Sequence, residues 1–363
     1  MNKQKIKDLS FSELEEHVVS LGEKRFRAQQ IYQWLYVHNV ASFAEMKNIP
    51  KPLQEKLAEK MVVQCLEHET MKSAPDGKTK KILFRLEGGN HIETVLMYSD
   101  YGRTLCVSTQ VGCPLDCQFC ATGMMGFGRN LSPGEILDQV LLTEKLTGET
   151  ITNIVVMGMG EPFLNYDNLM QALDILVDDA GKNMARRHIV VSTSGIVPKI
   201  ERFTAENRKF KLAISLNAAT DAQRDQIMPL NKKWPLKHLL KVVKNYTERS
   251  GNRITFEYVL LQGINDSLED AQNLRNLVKN FHCILNLIPF NATFSIYKRP
   301  EKETILAFYR VFEGMRIPVT VRWSKGTDID AACGQLVTRE GAQPLRNEKK
   351  RSEMIAKISQ VAD

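Results

Sequence analysis

From Thr104 onward, short runs of contiguous apolar residues alternate with stretches in which apolar residues recur every three or four positions. The runs TLCVST, NIVVMG, HIVVSTS, KLAISL, ITFEYVL and CILNLIP predict strands, and SPGEILDQVLLTEKL, NLMQALDILVDD, VPKIERF, LKHLLKVVKNY, LEDAQNLRNLV and ETILAFYRVFEGM predict amphipathic helices between them. Repeated βα units imply parallel strands with helices packed outside. About six units fit before a last run, PVTVR, fewer than the eight of a closed barrel. The pattern therefore predicts an α/β fold built on an incomplete (β/α)6-type barrel. A doubly wound open sheet satisfies the same periodicity.

The first part of the chain reads differently. Ser10 with Glu13 forms a capping box, Leu14, Val18 and Leu21 follow at helical spacing, and Gly22 suits a helix stop. A second helix fits Phe26 to Tyr36, with Trp34 in its small core. Short β-like runs at Val62 to Cys65, Lys81 to Leu86 and Ile92 to Met97 are separated by Asp76-Gly77 and Gly88-Gly89-Asn90, as hairpins require. The expected organisation is a small N-terminal α+β accessory domain at 1–98, a barrel core at 99–345 and a charged C-terminal tail at 346–363.

Composition narrows the setting. The 363 residues are 43% hydrophobic, which supports a sizeable core and excludes wholesale disorder. No run of about 18 apolar residues is present and the first residues lack a secretory h-region, so a cytoplasmic protein without membrane attachment is expected. The seven cysteines are odd in number, and in a reducing compartment they point to metal binding or reactive thiols rather than a disulfide framework. A net charge of +7 suits a polyanionic partner as well as it suits ordinary solvated surface.

Cys113, Cys117 and Cys120, spaced C-x3-C-x2-C, follow the first barrel strand. Structural zinc takes a closed set of four ligands and electron-transfer clusters take four cysteines. Three thiolates without a fourth ligand in the loop hold three corners of a [4Fe–4S] cluster and leave one iron open for chemistry. The competing reading is a zinc knuckle completed by a distant histidine such as His188.

The segment CPLDCQFCATGMMGFGRNL at 113–131, together with GMGEPFLN at 158–165, VVSTSGIVP at 190–198, MPLNKKWP at 228–235 and DIDAACGQL at 328–336, resembles the radical S-adenosylmethionine family that methylates C2 of an adenine in 23S ribosomal RNA and in transfer RNA. The resemblance runs nearly the full chain and implies a radical-SAM barrel. It implies Cys113, Cys117 and Cys120 as ligands of a [4Fe–4S] cluster, and Gly160, Glu161, Ser192, Ser215, Leu216, Asn217 and Asn291 as contacts of S-adenosylmethionine. Many relatives carry His where this chain has Asn217, a departure that a backbone contact there would survive and a side-chain contact need not. Such contacts fall at the C-terminal ends of strands, where a parallel barrel places its active site. The resemblance further implies that Cys333 carries a methyl group, from which a 5′-deoxyadenosyl radical abstracts hydrogen before the methylene adds to C2. Cys106 then resolves the adduct, leaving a disulfide to be reduced, and Glu93 accepts a proton. Glu93 lies on the Val95 and Met97 side of its strand, an odd place for a carboxylate unless partnered or functional. Cys65 and Cys283 read as inert packing residues.

The implied partners are 23S rRNA, tRNA and an electron donor such as flavodoxin or ferredoxin, acting on a monomer. Lys24, Arg25, Arg27, Lys182, Arg186 and Arg187 are candidate RNA-backbone contacts. Two rival readings are methylation at adenine C8, performed by a sister group with the same cysteines, and a non-catalytic RNA-binding protein with structural zinc. The latter leaves Cys106 and Cys333 without purpose.

Overall fold

A computed structural model describes residues 3–293 and 295–336, so the expected tail at 346–363 and the last residues of the expected core lie outside the described residues. The N-terminal helices are α1 (Phe11–Ser20), α2 (Phe26–Tyr36) and α3 (Lys51–Lys60), flanked by β1 (Gln4–Lys5) and β2 (Met61–Val62), which pair in parallel. The capping box at Ser10 forms: its backbone N–H donates to the Glu13 carboxylate at 2.7 Å and its hydroxyl accepts from Glu13 N at 3.3 Å. Tyr32, Leu35 and Tyr36 fill a small core against which Trp34 packs half-buried. This layer is tied to the barrel by buried charge. Lys7 pairs with Asp138, Lys5 with Glu135 at 2.6 Å, and the Cys65 N–H donates to Asp138 at 2.6 Å. Cys65 is structural.

Four antiparallel strands follow as a meander: β3 (Leu66–Ser73), β4 (Thr79–Leu86), β5 (His91–Ser99) and β6 (Gly102–Cys106). Only Val62 of the expected strand at Val62 to Cys65 is in a strand. The long strand begins at Leu66 and reads LEHETMKS, because an edge strand with most of its side chains in water needs no apolar run. A small hairpin, β7 (Gln110–Gly112) with β8 (Phe127–Asn130), encloses the cysteine loop and the short α4 (Ala121–Met124).

The parallel strands are β6, β9 (Asn153–Val156), β10 (Ile189–Thr193), β11 (Lys211–Ser215), β12 (Ile254–Leu260), β13 (Cys283–Pro289) and β14 (Val319–Val321). Helices α5 (Pro133–Thr147), α6 (Tyr166–Val177), α7 (Val197–Ala205), α8 (Asp221–Ile227), α9 (Leu236–Ser250), α10 (Leu268–Val278) and α11 (Lys302–Arg310) connect them. Neighbouring strands are consecutive along the parallel part, without the reversal that a doubly wound sheet requires, which gives the incomplete barrel. β6 is shared, pairing β5 on one side and β9 on the other, so one ten-stranded sheet runs from β14 to β3. The boundary expected after residue 98 thus falls inside β5, in a continuous ladder. Among the described residues, no helix is long and apolar enough to cross a membrane.

Candidate active site

The cysteine loop is braced by its own backbone. Cys113 N donates to Gly126 O at 2.8 Å, Cys120 N to Cys117 O at 3.0 Å, and Ala121 N to Gly334 O at 2.8 Å, which brings the Cys333 loop onto the cysteine loop. Cys113, Cys117 and Cys120 all border one cleft at the C-terminal ends of the barrel strands. Burial, and for Cys113 and Cys117 next the neighbouring loop thiols, push all three thiols above the ordinary cysteine range. Binding as thiolates to cationic iron relieves that cost, so the donor set fits a cluster. Among the described residues, no group of three or more His, Cys, Asp or Glu side chains converges on a single metal ion, whereas a cluster takes each thiolate at a different iron. His188 hydrogen-bonds Asn153 at 2.6 Å, where β9 and β10 begin, at the opposite end of the barrel from the loop.

The rest of the cleft comes from the strand ends. Gly158, Gly160, Glu161, Ser192, Ser215, Asn217 and Asn291 border it, whereas Leu216 is fully buried behind the rim and does not. Gly160 has φ 102°, and a Cβ there would lie 2.6 Å from that of Gln110, so the turn after β9 demands glycine to reach the loop. Glu161 is held by three donors, Thr193 Oγ1 at 2.6 Å, Ser194 N at 2.8 Å and Phe163 N at 3.0 Å, while burial keeps its carboxyl above the usual range. Ser192 and Ser215 cap no helix, since the N-cap positions of α7 and α8 are Ile196 and Thr220. Asn217 is left-handed (φ 57°). Its Oδ1 accepts from Val259 N at 3.0 Å and its carbonyl from Asn265 Nδ2 at 2.7 Å, so much of its polarity is spent inside the fold. Arg224 laces the rim from below, donating to the carbonyls of Ser194 at 2.7 Å, Leu216 at 3.0 Å and Ser215 at 3.2 Å.

A second cavity adjoins the first. Cys106, Val95, Met97 and Thr104 border it from the meander, and Met157, Arg322 and Cys333 border both. Val95 is the direct cross-strand partner of Cys106, which sets both on one face of the sheet. Burial, with Cys333 next in effect, pushes the Cys106 thiol up to about 12, and Arg322 opposes the shift. Glu93 is buried along the same face and pairs with Lys81 at 3.0 Å. Lys81 also donates to Asp330 O at 3.3 Å, linking the strands to the Cys333 loop. All seven cysteines are free, so the implied disulfide is absent as a resident bond. Cys65 and Cys283 border neither cavity.

Sequence reasoning missed Glu257, Arg322 and Lys81. Glu257 lies on β12 facing the first cleft, where Oε1 accepts from Asn286 Nδ2 at 3.0 Å and Oε2 has no hydrogen-bond partner among the described residues. Its signal was a lone carboxylate inside the strand run ITFEYVL. Arg322 follows PVTV at the end of the last strand, and Coulombic attraction to Cys333 first and Glu257 next favours its charged form. Of the basic candidates, Lys182 pairs with Glu144, Arg186 with Asp174 at 3.7 Å, and Arg27 lies over the Phe26 ring at 4.8 Å.

Comparison with known proteins places this arrangement. Residues 4–63 match the ribosomal RNA large subunit methyltransferase N-terminal domain, and residues 107–275 match the radical SAM superfamily. The chain is 46% identical over 345 residues to a probable dual-specificity RNA methyltransferase RlmN of Geobacillus kaustophilus, covering 94% of each chain. It is 45% identical to the dual-specificity RNA methyltransferase RlmN of Anaeromyxobacter sp., covering 93% of this chain and 91% of that one. A crystal structure of a radical SAM methyltransferase from Sphaerobacter thermophilus superposes with a TM-score of 0.88 at 44% identity, covering 92% of this chain and 99% of that one. The superfamily's cofactors are a [4Fe–4S] cluster and S-adenosylmethionine. The chain belongs to the RlmN family of radical S-adenosylmethionine RNA methyltransferases.

Proposed function

We propose that this methyltransferase modifies C2 of an adenine in both 23S rRNA and tRNA, through a methylated Cys333. The observation that carries the reading is the position of Cys333, which borders both the cleft of the three loop thiols and the cavity of Cys106. C2 of adenine is electron-poor, so a direct polar methyl transfer is not open to it. When bound by Cys113, Cys117 and Cys120 and by the strand-end residues Gly160, Glu161, Ser192, Ser215, Asn217 and Asn291, the cluster and S-adenosylmethionine supply the methyl group and the radical chemistry.

The chain's own residues do the remainder. Cys333 takes the methyl group on its sulfur and presents it toward the second cavity. After the carbon–carbon bond forms, Glu93, held by Lys81, takes the C2 proton. The Cys106 sulfur attacks the Cys333 sulfur, so the S–C bond breaks with its electron pair on the released carbon, which takes up a proton to become the methyl group, and an S–S bond forms, which an external reductant must reopen. Arg322, beside both thiols, favours the Cys106 thiolate that this attack needs. An electron donor such as flavodoxin or ferredoxin, a monomeric state and a cytoplasmic setting complete the proposal. Nucleoside mass spectrometry of rRNA and tRNA from a strain lacking the gene tests it. Loss of 2-methyladenosine from both is expected, whereas unchanged 2-methyladenosine with loss of 8-methyladenosine selects the C8 alternative.

A further inference from the structure

Trp323 stands out among the large apolar side chains. It is 47% exposed, two residues beyond the last barrel strand, and it borders the cavity that holds Cys106 and Cys333. No hydrogen bond holds its indole N–H among the described residues, and no ring there stacks on it. Elsewhere at this cavity the aromatic surface is already engaged. Tyr98 donates its hydroxyl to Glu149 at 2.7 Å and carries Lys80 over its ring at 5.4 Å. The bordering Lys325 reaches across to Tyr98 O at 3.2 Å, so this mouth combines an open indole with the Lys325 ammonium, and the Lys80 ammonium lies over the bordering Tyr98 ring. That is the chemistry of a single-stranded nucleic-acid platform, with a π-face for a base and cations for its backbone.

We propose that Trp323 is a substrate-positioning residue whose indole stacks on the nucleobase next to the target adenine, holding the RNA strand at the mouth while the target passes inward to Cys333. The proposal rests on the reading of the second cavity as the RNA side of the reaction. A target base must leave its neighbours to reach a buried thiol, and its former neighbour is left with an exposed face that an indole can cover. Every base offers such a face, so Trp323 contributes affinity and register without selecting sequence. Its partner is therefore a purine or pyrimidine ring, and the cations beside it serve the adjoining phosphates.

The test is steady-state kinetics of the holoenzyme on a stem-loop RNA that the wild-type protein methylates, together with the same RNA carrying an abasic site on either side of the target adenine. Trp323→Ala should raise KM for the intact RNA about tenfold with a smaller change in kcat, and Trp323→Phe should recover most of the loss, as stacking requires. One abasic RNA should impose the same loss on the wild-type protein and add nothing to the loss of Trp323→Ala, the signature of coupled partners. Titration of the intact RNA should quench wild-type tryptophan emission more than that of Trp323→Ala. A KM for Trp323→Ala within twofold of wild type, or a penalty undiminished on both abasic RNAs, overturns the proposal while leaving the methyltransferase reading in place. A wild-type holoenzyme that methylates no RNA overturns both.

Discussion

The side-chain amide of Asn291 donates to the backbone carbonyl of Cys333 at 3.1 Å, and the guanidinium of Arg299 donates to Asn291 Oδ1 at 3.0 Å. The end of the sixth barrel strand thereby sets where the Cys333 loop sits. Asn291→Ala removes this tie and leaves Arg299 short of an acceptor, a change worth about 1 kcal/mol per hydrogen bond. RNA methylation should fall about tenfold while iron content holds, as read by single-turnover assay and iron analysis of the same preparations. Unchanged methylation would mean that Asn291 does not position Cys333.

Removal of one loop thiol has a different signature. Cys113→Ala, Cys117→Ala or Cys120→Ala leaves two ligands for a cluster that the loop holds by three, so iron and sulfide in anaerobically reconstituted protein should drop and 5′-deoxyadenosine release should vanish. Wild-type release from any of these variants removes that residue from the ligand set.

Cys106→Ala keeps the loop thiols and Cys333 but lacks the sulfur proposed to free the product. The reaction should stall as a covalent protein–RNA species on a denaturing gel, sensitive to nuclease and absent from Cys106→Ala/Cys333→Ala. Freely released methylated RNA from the single variant would show that Cys106 does not resolve the adduct.

Glu93→Gln preserves shape and burial while removing the proposed base. Methylation should slow by about 10²-fold or more, a typical worth for a positioned proton acceptor. Methylated Cys333, measured by mass spectrometry of the protein without RNA, should still form. A loss of Cys333 methylation of the same size would instead make the Lys81–Glu93 pair a structural tie for the Cys333 loop.

Burial holds the Glu257 carboxyl above its ordinary value, so the folded state favours the protonated form. That contribution to stability is fully present below the unfolded value and is lost as pH rises through the folded one. Glu257→Gln should therefore gain stability relative to wild type as pH rises from the ordinary glutamate value through the raised one, by about 1.4 kcal/mol for each unit separating the two. Urea unfolding of the cluster-free proteins across that range measures it, and a pH-independent difference would mean that Glu257 is as well solvated in the fold as in the unfolded chain.

The parts of the molecule legible in its sequence are those where one local rule decides. Phe26–Tyr36 is helical as its periodicity requires, and Ser10 and Glu13 form their box. The barrel strands appear where contiguous apolar runs stand, because strands covered by helices cannot be polar. β3 was hidden because its residues answer to water on an open edge. The cysteine loop announced itself by spacing, while Glu257, Lys81 and Arg322 did not, since each depends on neighbours far away in the chain. Lys81 and Asp330, 249 positions apart, illustrate the difficulty: nothing local to either residue reports the other. The exposed Trp323 was equally silent, as an aromatic beside a strand end reads as packing until its surroundings are known.

The sharing of β6 between the meander and the barrel bears on how the chain unfolds. Detaching β3–β5 would strip β6 of a full set of backbone partners and leave Lys5 and Lys7 of the N-terminal layer still buried against α5. No weak seam separates the two regions, so melting should be a single cooperative event over the described chain rather than the sequential loss of a module and a core. The strand bearing Glu93 is hydrogen-bonded into the same ladder as the barrel, so the proposed proton acceptor is kept in register with the thiols by backbone hydrogen bonding instead of by domain docking.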